Sequence, residues 1–229
     1  MEIIQINNLS LKINQGELIS LLGVNGSGKT TTIKMLTCLT KPTSGEAFID
    51  GKNIIDESFD VKKIIGVSPQ ETAIALNLTV KENLELICKI HKLKEDKIKE
   101  KIEQLSTQFG LKEILNKKTS KLSGGYQRRV SIAMALISEP KVLFLDEPTL
   151  GLDVIARSNL WDIIRKLKEK MTIILTTHYM EEAESLSDKI AIINKGELLF
   201  FGTLKNLLEK SFTTKVEEAF LKIINGGKI

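Results

Sequence analysis

Eight consecutive residues, Gly23-Val24-Asn25-Gly26-Ser27-Gly28-Lys29-Thr30, fit the pattern G-x-x-x-x-G-K-[ST] in full. Glycines at this spacing let the backbone curl so that its N–H groups converge on phosphate oxygens. Lys29 is then placed to reach the β- and γ-phosphates of a nucleotide, and the Thr30 hydroxyl to bind Mg²⁺. From typical residue frequencies, a chain of this length matches the pattern by accident about once in a hundred. The flanks lower that further: an apolar run, Leu18 to Leu22, precedes the loop, and a helix is predicted from Lys29 to about Leu39. The loop thus sits between a strand and a helix N-terminus, where the backbone dipole favours anions. Asn25, Gly26, Ser27, Gly28, Lys29, Thr30 and Thr31 are the candidate phosphate-binding residues.

Val142-Leu143-Phe144-Leu145 is a second strand-length apolar run, and it ends directly on Asp146 and Glu147. Two carboxylates at the end of a buried strand emerge at the carboxyl edge of a sheet, where ligands of α/β folds bind. Asp146 suits a magnesium shell. Glu147, one residue on, points elsewhere and is placed to orient or deprotonate an attacking water. Read alone the pair is an acidic turn; beside a phosphate loop it is a candidate hydrolytic site.

Leu122-Ser123-Gly124-Gly125-Tyr126-Gln127 precedes an apolar helix and offers a hydroxyl and two small residues at its N-terminus, a second place suited to phosphate. Arg128 and Arg129 in the first turn oppose the helix dipole, so a compensating anionic neighbour is expected.

Strands and helices alternate around these groups. Leu9, Leu11 and Ile13 alternate as in a strand, Gln15-Gly16 turns, and strands are predicted for Leu18 to Leu22, Glu46 to Ile49, Ile64 to Val67, Val142 to Leu145 and Thr172 to Thr176. Helical periodicity runs from Val80 to about Phe109, from Ser123 to about Ser138, through Trp161, and from Thr214 to Ile224. The expected fold class is α/β, a mainly parallel sheet covered by helices, with an antiparallel β portion near the N-terminus and an inserted helical subdomain. The expected organisation is one domain over 1–229, with a core from 1–78 and 140–210, a helical subdomain from 79–139, and a C-terminal helix in 211–229.

The 229 residues are 42% hydrophobic and 27% charged, with no apolar run near the eighteen or so that span a membrane. Met1-Glu2-Ile3-Ile4-Gln5 lacks the basic and apolar regions of a secretory signal, so a cytoplasmic location is expected. Cys38 and Cys88 form no C-x-x-C pair and are assigned to packing. A net charge of +4 and 5% aromatic residues give no basic, aromatic-interleaved surface, so nucleic acid is not an expected partner.

Taken in order, these motifs resemble the ATPases of ABC transporters, from about Leu9 to Leu208. Gly23 to Thr30 is similar to the family's Walker A loop, Gln70 to the Q-loop glutamine, Leu122 to Gln127 to the signature motif and Val142 to Glu147 to the Walker B strand. Leu152-Asp153 corresponds to the D-loop and His178 to the switch histidine. The resemblance implies a P-loop NTPase core and a head-to-tail dimer around Mg-ATP, in which Ser123 and Gly125 of one subunit contact the γ-phosphate held by the other and Asp153 lies at the shared nucleotide. It implies that Gln70 senses Mg²⁺ and a membrane permease, that His178 contacts the γ-phosphate and that Glu147 activates water. Thr177 to Glu184, Asp188 to Ala191 and Phe201-Gly202-Thr203 look like the drug- and antibiotic-exporter branch, whose ATPases sit on the inner face of the cell membrane through a separate permease. A soluble ABC ATPase of DNA repair or translation is the rival; repair members carry a long coiled coil and translation members two motif sets, and neither is present. A subunit that binds without hydrolysing is disfavoured by Glu147 and His178. One departure stands out: family members usually stack adenine on an aromatic residue ahead of the P-loop strand, and no Phe, Tyr or Trp precedes Phe48.

Overall fold

The computed structural model describes residues 9–226. The reading of Met1 to Gln5 and the last residues of the 211–229 segment fall outside that range. A six-stranded sheet has the order β4-β5-β6-β1-β7-β8, from β4 (Ile65–Ser68), β5 (Val142–Asp146), β6 (Thr172–Thr177), β1 (Leu18–Leu22), β7 (Lys189–Asn194) and β8 (Glu197–Gly202). All pairings are parallel except β7 with β8. The continuous apolar runs of β1, β5 and β6 are buried throughout or nearly so, as a parallel sheet covered on both faces requires. The antiparallel portions are edge features. β2 (Phe48–Ile49) and β3 (Lys52–Asn53) form a short hairpin whose turn, Asp50-Gly51, has φ 51° and 76°; Lys195-Gly196 between β7 and β8 has 48° and 78°. Paired left-handed residues are what tight hairpins need.

The expected strand over Leu9 to Ile13 is not formed: no residue from 9 to 14 belongs to a strand. The alternation is nonetheless real. Leu9, Leu11 and Ile13 are half-buried against the core on one face of the sheet, while Ser10, Lys12 and Asn14 are exposed. Alternation reports which side is wet, and a ladder needs a partner strand as well.

The helical stretch expected from Val80 to Phe109 is two helices, α3 (Val80–Ile90) and α4 (Glu95–Phe109). Lys92 adopts φ 58° at the break and Leu93 N–H donates to Cys88 O at 3.1 Å. Folding back lets Leu84, Cys88, Ile98, Ile102 and Leu105 meet in one core, which outweighs the roughly 1 kcal/mol of a left-handed lysine. That core also contains Leu18, Leu143, Leu145 and Ile173 of the sheet, so these helices and the sheet are packed as one body. The remaining helices are α1 (Lys29–Leu36), α2 (Ser58–Ile64), α5 (Gly124–Ala135), α6 (Val154–Lys168), α7 (Met180–Leu186), α8 (Leu204–Ser211) and α9 (Val216–Gly226). No helix among the described residues is long and apolar enough to cross a membrane.

Candidate active site

Strand register brings the distant motifs to one edge. Leu22 of β1 is level with Thr177 of β6, and Asp146 of β5 with Thr176, so the phosphate loop, Glu147 and His178 leave adjacent strands side by side. On the far side of β5, Ser68 of β4 is level with Leu145, which brings Gln70 to the same edge. The result is a pocket of about 350 Å³ lined by Asn25 to Thr31, Gln70, Glu147, Leu150 and His178.

The loop can only be glycine-rich. A Cβ on Gly23 would lie 2.3 Å from Ile193 O and 2.5 Å from Ser27 Oγ, and Gly28, which caps α1, has φ 109°. Lys29 is buried; its Nζ donates to Gly23 O at 2.8 Å and Val24 O at 3.1 Å and stands 3.6 Å from Glu147 Oε1. Burial pushes its pKa below the usual lysine value, opposed by the charges of Glu147 and Asp146. Ser27 Oγ is buried and without a hydrogen-bond partner, as expected of a group that serves a ligand.

Glu147 is 6% exposed and has φ 48°, a left-handed backbone that costs a non-glycine residue about 1 kcal/mol or more. Its N–H is held by Thr176, Oγ1 at 2.9 Å and O at 3.2 Å. The kink turns its carboxylate away from that of Asp146, and Glu147 Oε2 lies 2.9 Å from His178 Nδ1. Asp146 Oδ1 instead accepts from Thr176 Oγ1 at 2.5 Å and from Thr30 Oγ1 at 3.3 Å. Thr30 and Asp146 therefore present a hydroxyl and a carboxylate together, oxygen donors that fit Mg²⁺, an ion that keeps few protein ligands beside phosphate oxygens and water.

Ser123, Gly125 and Asp153 do not join this pocket. Ser123 occupies the N-cap of α5, but its hydroxyl makes no capping bond and the residue is exposed. Behind it α5 packs on α6, where a Cβ on Gly125 would lie 3.1 Å from Ala156 Cβ. Asp153 caps α6, its carboxylate accepting from Ala156 N–H at 2.8 Å. The signature and D-loop residues thus share one exposed face.

Two contributors went unpredicted. Thr176 is one, legible only once the β5–β6 register is known. The other is Arg128. The expected anionic partner is replaced by two carbonyls: its guanidinium is buried and donates to Pro69 O at 2.6 Å and Gln70 O at 2.7 Å, tying the Gln70 loop to α5. Burial lowers its pKa, while the charges of Asp146 and Glu182 oppose the shift from a distance.

A phosphate loop at the carboxyl edge of a parallel sheet, with two carboxylates at the end of β5 and a histidine at the end of the intervening β6, defines a P-loop nucleotide hydrolase. Residues 6–150 match the ABC transporter family, and the chain belongs to it. It is 35% identical to the ABC transporter ATP-binding protein NatA of Bacillus subtilis, over 96% of this chain and 91% of that protein. It is 43% identical to the human phospholipid-transporting ATPase ABCA3 over 90% of this chain but 12% of that protein, so it spans only a small part of the ABCA relatives. Among solved structures it is similar to an ATP-binding subunit of an ABC transporter, with TM-score 0.80, 29% identity and coverage of 91% and 88%. A dimeric ATP-binding cassette in a post-hydrolysis state, bound to ADP and Pi, gives 0.78, 31%, and coverage of 87% and 90%. The chain is an ABC ATPase domain, an ATP-binding and hydrolysing unit homologous to subunits that dimerise.

Proposed function

We propose that this ATPase works as one half of a nucleotide-sandwich dimer that drives a separate membrane permease, in the export direction, from the cytoplasmic face of the cell membrane. The observation that carries this reading is the division of phosphate-binding groups between two places. Lys29, Glu147 and His178 converge on the pocket, whereas exposed Ser123 and half-buried Gly125 stand apart from it at the start of α5. A second nucleotide-binding subunit, identical or related, brings its Ser123 and Gly125 to the phosphate that the first one holds.

In this reading Asn25 to Thr31 bind the phosphates, and Thr30, Asp146 and Gln70 hold Mg²⁺, which when bound offsets charge on the β- and γ-phosphates. Glu147 accepts a proton from the attacking water, and His178, 2.9 Å from it, orients that carboxylate and touches the γ-phosphate. Lys29 balances phosphate charge that is already present before reaction. Asp153 lies where α6 meets the partner subunit.

The drug- and antibiotic-exporter branch is the finer assignment, supported by the stretches Thr177 to Glu184, Asp188 to Ala191 and Phe201-Gly202-Thr203. The names of the relatives favour transport over repair or translation. For the permease, Ala73, Ala75 and Leu76 after Gln70 are exposed, and Ile74 anchors them to the core. Leu86 and Ile90 on the following helix are also exposed apolar residues.

Co-purification from detergent-solubilised membranes tests the reading. A multi-span permease recovered in stoichiometric amount, and lost on Leu76→Asp while the isolated subunit keeps its affinity for ATP, is the expected result. Recovery of the subunit without any membrane protein overturns the transport assignment and leaves the ATPase intact.

A further inference from the structure

A row of side chains joins the start of α6 to His178. Arg157 lies one turn into α6, its N–H donating to Asp153 O at 2.9 Å. Its guanidinium carbon is 5.7 Å from the ring centroid of Tyr179 and 5.6 Å from that of Trp161. Tyr179 stacks in turn on His178, with ring centroids 4.1 Å apart and planes inclined by 41°. On its other side His178 meets Glu147. Trp161 Nε1 donates at 3.1 Å to Oε1 of the fully buried Glu182, so α6 and α7 are fastened together beneath the row.

The bland account of Arg157 is a surface ion pair. Its only carboxylate partner among the described residues, Glu181, is 3.5 Å away and largely exposed, a geometry worth little. The Arg157 side chain is itself only 20% exposed, held by two aromatic faces. Cation–π attraction fixes the Tyr179 ring, and the ring offers His178 a flat wall. His178 makes one side-chain hydrogen bond, to Glu147, which leaves rotation about that bond to be restrained by packing.

We propose that Arg157 and Tyr179 are positioning residues for His178, so that the placement of α6 sets the angle at which the imidazole meets Glu147. The inference rests on the reading of Glu147 and His178 as reacting groups. Because α6 begins at Asp153, on the face that carries Ser123, the row lets a displacement of that face reach the histidine of the same chain. Tyr179 acts through its ring and Arg157 through Tyr179; neither lines the pocket.

The protein has two histidines, so the His178 ring signal can be followed by NMR with exposed His91 as an internal control. Arg157→Gln is expected to shift the His178 signal and leave that of His91 in place. In a Tyr179→Ala background it should add no further shift. In steady-state hydrolysis, Tyr179→Ala should lower kcat by about tenfold with KM for ATP within about twofold, and Tyr179→Phe should restore most of the rate. Arg157→Lys, which keeps charge but not the planar stack, should fall between wild type and Arg157→Gln. Glu181→Gln should behave as wild type. An unmoved His178 signal in a folded, ATP-binding Arg157→Gln protein overturns the proposal, as does Phe at 179 as harmful as Ala. Loss of rate on Glu181→Gln equal to that on Arg157→Gln would return Arg157 to an ion-pair role. Full activity of His178→Ala would instead defeat the underlying reading of the histidine, a result separable from all of these.

Discussion

The phosphate-loop edge and the face that carries Ser123 and Asp153 differ in how far their polar groups are answered within one chain. At the edge, the buried Lys29, Asp146, Glu147 and Thr176 are linked to one another, and the half-buried His178 joins them through Glu147. On the other face, Ser123 presents a hydroxyl with no capping bond, and Val154 and Ile155 beside Asp153 are among the most exposed large apolar residues. The first region carries its own electrostatic counterweights and is positioned before any partner arrives. The second is a set of small and apolar groups whose worth depends on what is brought to it. Under the proposed dimer, a substitution at the edge acts on binding or chemistry in one subunit, whereas one at Ser123 acts when two subunits meet.

The largest effect expected from that contrast is on Glu147→Gln. Loss of the basic carboxylate should lower steady-state ATP hydrolysis by about 10²- to 10⁴-fold, the range of general-base catalysis, while ATP binding persists and an ATP-bound dimer accumulates on size exclusion. Near-normal turnover would remove Glu147 from the reaction. Lys29→Ala should act earlier: it removes a buried cation beside Glu147, and ATP affinity should fall by about 30- to 100-fold, as for loss of a charge-assisted contact. Isothermal titration with the isolated subunit measures it, and unchanged affinity would show that the backbone alone holds the phosphates.

Ser123→Arg isolates the other region. The residue is exposed and its hydroxyl supports no helix cap, so the fold should be unaffected. Affinity for ATP in the isolated subunit should stay within about twofold, while hydrolysis drops by about tenfold or more because an arginine obstructs the approach of the second subunit. Equal loss of binding and hydrolysis would break the division between the two regions.

Most of the edge was legible in the sequence because each of its residues sits at a strand end, and strand ends follow from apolar runs bounded by turns. Gly23 to Thr30, Asp146, Glu147 and His178 all lie next to runs of Leu, Ile, Val or Phe, so fixing the strands places the chemistry. What escaped was set by tertiary packing. Lys92 breaks the long helix without a glycine or proline to announce it. The alternation of Leu9, Leu11 and Ile13 carries a burial pattern but no information on a pairing partner. Arg128 reads as an arginine that needs an anion until β4 is placed beside α5 and the carbonyls of Pro69 and Gln70 come within reach. Gln70 itself has no local signal, and its place at the pocket rests on β4 lying next to β5.

The smallest expected effect concerns which base the pocket prefers. Among the described residues, His178 contributes the only ring to the lining, engaged by Glu147 and Tyr179, and Leu150 the only large aliphatic side chain. No Phe, Tyr or Trp precedes Phe48, and Leu9, Leu11 and Ile13 turn inward to the core, so none of them offers a flat outward platform for adenine. Stacking of a base on an aromatic ring is worth about 1–3 kcal/mol in nucleic-acid binders, so by analogy its absence weakens ATP binding by roughly 5- to 150-fold. The phosphate contacts of Asn25 to Thr31 then dominate, and those are the same for any nucleoside triphosphate. The affinities of this chain for Mg-ATP and Mg-GTP should therefore lie within about fivefold of each other, a difference of about 1 kcal/mol. Competitive titration of the two nucleotides against the purified subunit decides the matter. Micromolar affinity with a clear preference for adenine would show that aliphatic packing, or the face of a second subunit, supplies the base contact, and would place part of nucleotide recognition outside the phosphate-loop edge.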